Sequence, residues 1–142
     1  MAKIAVIYWS GTGHTEAMAT AVAEGINAAG GEAEVFSVSD ISAADAAKYD
    51  KLALGCPAMG DEQLEESEFQ PFFDELSPSL SGKKVVLFGS YEWAEGQWMQ
   101  TWAETAKGLG AVFAADPVIA YDAPDDEAVA KCKALGEALA KA

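Results

Sequence analysis

Lys3-Ile4-Ala5-Val6-Ile7-Tyr8-Trp9-Ser10-Gly11-Thr12-Gly13-His14-Thr15 is the stretch on which the fold turns. Lys3 to Trp9 is a short apolar run rich in β-branched and aromatic residues, the pattern of a strand buried on both faces. It stops at Ser10-Gly11-Thr12-Gly13. Thr15, Met18, Val22 and Ile26 then recur at three- and four-residue steps until Gly30-Gly31, which predicts a helix directly after the strand, closed by glycine.

The alternation repeats down the chain. Glu34 to Val38 reads as a second strand and Asp50 to Gly55 as a third, with an Ala-rich helical stretch between them. Phe69, Phe72, Phe73 and Leu76 mark a helix, Lys84 to Gly89 a fourth strand, and Trp98, Trp102, Ala106 and Leu109 the helix behind it. Ala111 to Tyr121 reads as a fifth strand interrupted at Asp116-Pro117, where the missing ladder donor predicts a bulge or an edge position. Pro124, at a helix start, leads into Val129, Cys132, Leu135 and Leu139, with acids first and lysines later as the helix dipole prefers. Five strand–helix alternations with no linker, repeat or low-complexity stretch predict one α/β domain over residues 1–142, with a parallel sheet and helices on both faces. Ligands then bind beyond the carboxyl ends of the strands.

Composition narrows the function. The chain has 142 residues with 23 acidic and 9 basic side chains, a formal charge of −14. It contains no arginine, so the bidentate fork favoured by nucleic-acid and phosphoester sites is missing, and phosphate backbones and anionic lipid are repelled. Nucleic-acid and membrane-surface roles are therefore not expected. Apolar stretches of about seven residues fall short of the roughly 20 that span a bilayer, and the N-terminus has one lysine and no signal-type core of sufficient length, so a soluble cytoplasmic chain is expected. Cys56 and Cys132 make no disulfide framework and no C-x-x-C or Cys/His cluster offers a zinc site. His14 is the single histidine through which any Ser-His or Cys-His mechanism would have to run.

Three loops follow strands one, three and four. Ser10-Gly11-Thr12-Gly13-His14-Thr15 carries three hydroxyls and two glycines at a helix start, so backbone N–H groups can converge on an anion there. It lacks the lysine of a G-x-x-x-x-G-K-[ST] loop and the spacing of G-x-G-x-x-G, which suits a monophosphate held by amides, hydroxyls and the helix dipole. A capped helix start that binds nothing needs only one or two such residues. Pro57-Ala58-Met59-Gly60-Asp61-Glu62 places a thioether and two acids beside a glycine; a methionine there fills a core gap or touches a cofactor. Ser90-Tyr91-Glu92-Trp93-Ala94-Glu95-Gly96 carries Tyr91 and Trp93 among polar residues, and a loop tryptophan should cover something flat and apolar, a neighbouring helix or a ring.

Taken together these residues resemble the flavodoxins, specifically the short-chain group of anaerobic bacteria. Tyr8-Trp9-Ser10-Gly11-Thr12-Gly13-x-Thr15-Glu16 is similar to the family's phosphate loop, Met59-Gly60-Asp61-Glu62 to its second flavin loop and Gly89-Ser90-Tyr91-x-Trp93 to its third. The absence of an insertion of about twenty residues inside the fifth strand selects the short-chain group. The resemblance implies a flavodoxin-like three-layer αβα sandwich with a five-stranded parallel sheet of order 2-1-3-4-5. It also implies non-covalent FMN, its phosphate on Ser10, Gly11, Thr12, Gly13, His14 and Thr15. The flavin would lie against Pro57, Ala58, Met59, Gly60, Asp61 and Glu62 on one side and Gly89, Ser90, Tyr91, Glu92 and Trp93 on the other. Met59 and Trp93 would flank the ring, Glu62 would accept the N3 proton, and the Gly60-Asp61 carbonyl would turn toward N5 on reduction, stabilising the neutral semiquinone.

The implied function is low-potential one-electron transfer, shuttling between semiquinone and hydroquinone among redox enzymes, with no substrate of the chain's own. Asp61, Glu62, Glu65, Glu66, Glu68, Glu92 and Glu95 would disfavour the anionic hydroquinone and steer a monomer toward basic docking patches on ferredoxin-type oxidoreductases and reductases. The family commonly has glycine where Glu92 and Ala94 stand, and asparagine is frequent where His14 stands.

Rival readings lose residues they need. A receiver domain needs acids where Tyr8-Trp9-Ser10 stand, a phosphoacceptor where Cys56-Pro57 stand and a lysine where Tyr121-Asp122 stand; a cysteine phosphatase needs an arginine after Cys56; a serine hydrolase needs G-x-S-x-G. A small FMN-dependent NAD(P)H oxidoreductase of the same fold is the alternative, against which stand the lack of a second-substrate insertion and of basic residues near the loops.

Overall fold

A computed structural model describes residues 3–9, 13–57, 68–91, 97–121 and 124–142. Six strands and five helices alternate in it: β1 Lys3–Tyr8, α1 His14–Ala28, β2 Glu32–Ser37, α2 Ala43–Ala46, β3 Lys51–Gly55, α3 Phe69–Leu76, β4 Lys84–Tyr91, α4 Gln97–Gly108, β5 Val112–Phe113, β6 Val118–Tyr121 and α5 Asp126–Lys141. Every strand pair is parallel, in the order β2-β1-β3-β4-β5, with β6 also paired to β4.

The alternation of side chains along the strands divides the core into two layers. Ile4, Val6, Ala53, Val86 and Phe88 pack under α1 and α5, meeting Met18, Val22, Ile26, Cys132, Leu135 and Leu139. Ala5, Ile7, Leu52, Leu54, Val85 and Leu87 face the other way, toward Phe69, Phe73, Leu76, Trp98 and Trp102 of α3 and α4. Strands covered on both faces must be apolar at every position, which is why β1, β3 and β4 show no polar alternation. The result is the three-layer αβα sandwich expected from the sequence.

Five local expectations are refined. The second strand begins at Glu32 and ends at Ser37, because residues 38–40 tighten into a 3₁₀ turn, and the third begins at Lys51. The fifth strand is two pieces: Val112 and Phe113 pair with Lys84 and Val85, whereas Val118 pairs with Phe88. Four residues, 114–117, thus stand opposite two, 86–87, and Pro117 falls in this bulge, where no ladder N–H is required. Ser90 and Tyr91 belong to β4, paired with Ala120 and Tyr121, so the segment read as a loop begins after them. Pro124 lies outside α5, whose cap is Asp125: its extended backbone and carboxylate, accepting from the Ala128 N–H at 2.8 Å, start the helix.

Candidate functional site at the carboxyl ends of β1, β3 and β4

The strand order reverses between β1 and β3: β1 leads outward to β2 through α1 on one face, and β3 leads to β4 through α3 on the other. The carboxyl ends of β1, β3 and β4 are tied side by side at this switch point. The Trp9 N–H donates to the Gly55 carbonyl at 3.0 Å and the Cys56 N–H to the Phe88 carbonyl at 3.1 Å.

α1 opens toward this crevice. Gly13 precedes it with φ +94° and ψ −7°, a left-handed conformation that glycine adopts without strain, and space beyond its Cα is open to at least 4 Å. The first turn carries Glu16 and no lysine, so the partial positive charge of the helix start is the fixed cationic feature of this turn. His14 is the first helical residue and half-buried.

Behind the helix start lies a buried polar contact. Thr15 Oγ1 and Ser90 Oγ are 3.2 Å apart with their residues only 1% and 5% exposed, joining the first turn of α1 to the end of β4. Two hydroxyls bring two protons, and the mutual bond uses one. The pair is the only buried polar or charged residue pair among the described residues.

Around it, aromatic groups fix the strand ends. Trp9 Nε1 donates to Glu68 Oε1 at 3.2 Å, tying the end of β1 to the entry of α3. The Tyr8 hydroxyl donates to Glu16 Oε2 at 2.8 Å; that bond, then partial burial and the charges of Glu16 and Asp40, hold the phenol's pKa above its usual value. Trp98 Nε1 donates to the Cys56 carbonyl at 3.3 Å in the core. The spacing of Trp98 marks it as a core residue of α4, but this bond is not legible there because it depends on how α4 docks on β3.

Of the residues anticipated from sequence, Gly13, His14, Thr15, Pro57, Gly89, Ser90 and Tyr91 are described and gather at this one end of the sheet. Ser10, Gly11, Thr12, Ala58, Met59, Gly60, Asp61, Glu62, Glu92 and Trp93 lie outside the described residues. Gly89 has a packing duty of its own: a Cβ there would run into the Cys56 carbonyl oxygen and press on Trp98. Among the described residues no cluster of three His, Cys, Asp or Glu side chains could hold a metal ion, and no helix is long and apolar enough to cross a membrane.

Comparison with known proteins agrees with the geometry. The flavodoxin family model matches residues 6–135. A flavodoxin of Clostridium beijerinckii is 47% identical over 135 residues, covering 95% of this chain and 97% of its own. The solution structure of two-electron reduced Megasphaera elsdenii flavodoxin superposes with a TM-score of 0.90 at 46% identity, over 98% of this chain and 99% of that one. A NAD(P)H dehydrogenase (quinone) of Rhodopseudomonas palustris is 42% identical over only 66 residues, 45% of this chain and 33% of that protein. With its family model spanning nearly the whole sequence and its sheet order matching, the chain belongs to the flavodoxin family, FMN-binding proteins that carry electrons and are not enzymes.

Proposed function

We propose that the protein is a low-potential one-electron carrier, acting as a cytoplasmic monomer and one flavodoxin-like unit over residues 1–142. The observation that carries this assignment is the buried Thr15–Ser90 hydroxyl pair beneath an open helix start at the topological switch point. A buried hydroxyl pair with a proton to spare beside a helix N-terminus is a donor set chemically suited to phosphate oxygens, and it needs no cationic side chain. The described residues therefore fit the phosphate end of FMN.

In this account Ser10, Gly11, Thr12, Gly13, His14 and Thr15 hold the phosphate. Pro57, Ala58, Met59, Gly60, Asp61 and Glu62 receive the flavin from one side, and Gly89, Tyr91, Glu92 and Trp93 from the other, with Ser90 beside Thr15 toward the phosphate. Met59 and Trp93 supply polarizable and aromatic surface, and Glu62 accepts a ring N–H. Bound FMN supplies one-electron redox chemistry; the polypeptide binds it, excludes water from it and surrounds it with negative charge that lowers its potential. Redox-partner proteins with basic patches are the proposed clients, and low salt favours their encounter with a chain of charge −14.

The test is titration of the FMN-free protein with FMN and with riboflavin. FMN should bind with clear preference, and Trp93→Ala should weaken it by about fivefold or more, the worth of a lost aromatic contact and its buried area. Equal affinity for the two flavins would remove the phosphate site, and an unaffected Trp93→Ala would move that residue away from the ring.

A further inference from the structure

Tyr121 closes β6 with 61% of its surface exposed, the most exposed of the large apolar and aromatic side chains among the described residues. Its register partner is Tyr91, the last residue of β4, and the two rings lie 5.4 Å apart at 22°, a stacked pair. Tyr91 also meets Trp98, at 5.8 Å and 47°. Tyr91 therefore contacts both an exposed ring and a buried one.

The two ends of one segment meet in this sandwich. Tyr91 is the residue before 92–96 and Trp98 is the second residue of α4 after it, so the Tyr91–Trp98 contact fastens the entry and exit of the segment together. Trp98 also donates to the Cys56 carbonyl, directly before Pro57, where the second loop departs. One aromatic row, Tyr121–Tyr91–Trp98, thus reaches the points from which both flavin loops leave the sheet. Trp98 is fixed by burial and by its hydrogen bond, whereas Tyr91 is half-buried and stacks on Tyr121 on its exposed side.

We propose that Tyr121 is a positioning residue for the flavin site: it covers the outer face of Tyr91 and holds the Tyr91–Trp98 clamp that sets the loop ends. This rests on the FMN-binding function proposed above. Among the described residues Tyr121 acts through Tyr91. An exposed aromatic that only filled strand surface would be replaceable by any β-branched residue, whereas a covering ring is replaceable only by another flat ring.

The experiment compares Tyr121→Val, which keeps strand propensity and removes the ring, with Tyr121→Phe, which keeps the ring and removes the hydroxyl. FMN dissociation constants, the visible circular dichroism of bound flavin and the thermal midpoint of the FMN-free protein are measured for each. Tyr121→Val should raise the dissociation constant about three- to tenfold, the range of one aromatic pair, and change the flavin dichroism. Tyr121→Phe should restore both to within about twofold of the parent. Val and parent proteins with the same affinity and dichroism would overturn the inference, as would a change confined to the thermal midpoint. A parent chain that took up no FMN would overturn the functional assignment itself, whereas uptake with an indifferent Tyr121→Val overturns this inference alone.

Discussion

Gly89 lacks a Cβ at the one place where the Cys56 carbonyl oxygen and the Trp98 ring leave no room for it. The close approach brings β3 and β4 to their shared end with the Trp98 N–H in reach of the Cys56 carbonyl. Gly89→Ala should therefore destabilise the fold by about 1–3 kcal/mol, the usual cost of overpacking a tight core, as read by urea unfolding of the FMN-free protein. The two cysteines supply a pH prediction. Both are buried and neither is in a disulfide, and burial pushes the Cys132 thiol up from 9.0 to about 12. A thiol that is harder to ionise in the folded chain stabilises that chain fully below pH 9; the contribution is lost as pH climbs from 9 toward 12. Thiol alkylation of the native protein at neutral pH should be negligible and should appear only with unfolding or strong alkali. At this scale the sequence was partly legible. The glycine–hydroxyl chemistry of Gly13 and Thr15 could be read as part of an anion site because those residue types have few other uses together, whereas Ser90 was read with the third loop and only the fold brings it to Thr15. Gly89 could not be separated into a packing glycine and a binding glycine, since the neighbour that forbids its Cβ is 33 residues away in sequence.

The elements were legible where both faces of a strand are buried. β1, β3 and β4 announce themselves as unbroken apolar runs, and α1 and α5 as three–four repeats. What escaped was register, as in the two extra residues opposite Val86 and Leu87, because pairing partners are set by the whole sheet. Helix crossing escaped as well. α1 and α5 touch through small residues: a Cβ on Gly25 would strike the Lys133 carbonyl, and one on Gly136 would strike the Val22 carbonyl. Glycine inside a helix costs about 1 kcal/mol relative to alanine, so its presence at both crossing points reflects the backbone approach. Gly136→Ala should gain that propensity and lose more by forcing the helices apart. We expect net destabilisation of about 1–3 kcal/mol and a lower melting temperature. An unchanged or raised melting temperature would show that the helices can separate freely.

Charge is distributed along the whole molecule. Lys3, Lys51 and Lys84 begin β1, β3 and β4, and Lys48 and Lys83 lie beside them, so five of the nine lysines sit at the amino ends of the strands. Lys83 and Lys51 are engaged there, Lys83 Nζ with the Ala47 and Tyr49 carbonyls at 2.7 Å each and Lys51 Nζ with the Ala140 carbonyl at 2.9 Å. The same amino ends carry Glu32 and Asp50, and Lys48 pairs with Asp45, so the net charge of −14 is what draws the chain to a basic partner and disfavours further negative charge on what it binds. Net charge was readable from composition; the gathering of lysines at the strand starts was readable only with the fold. The central claim is that this chain carries single electrons on bound FMN, and anaerobic reductive titration of the holoprotein, followed in the visible spectrum, tests it most directly. Stepwise dithionite should build up a one-electron-reduced flavin before full reduction, and NADH or NADPH added to the oxidised protein should leave its spectrum unchanged. Direct two-electron bleaching by a nicotinamide, with no one-electron form accumulating, would contradict the account and make the protein a reductase.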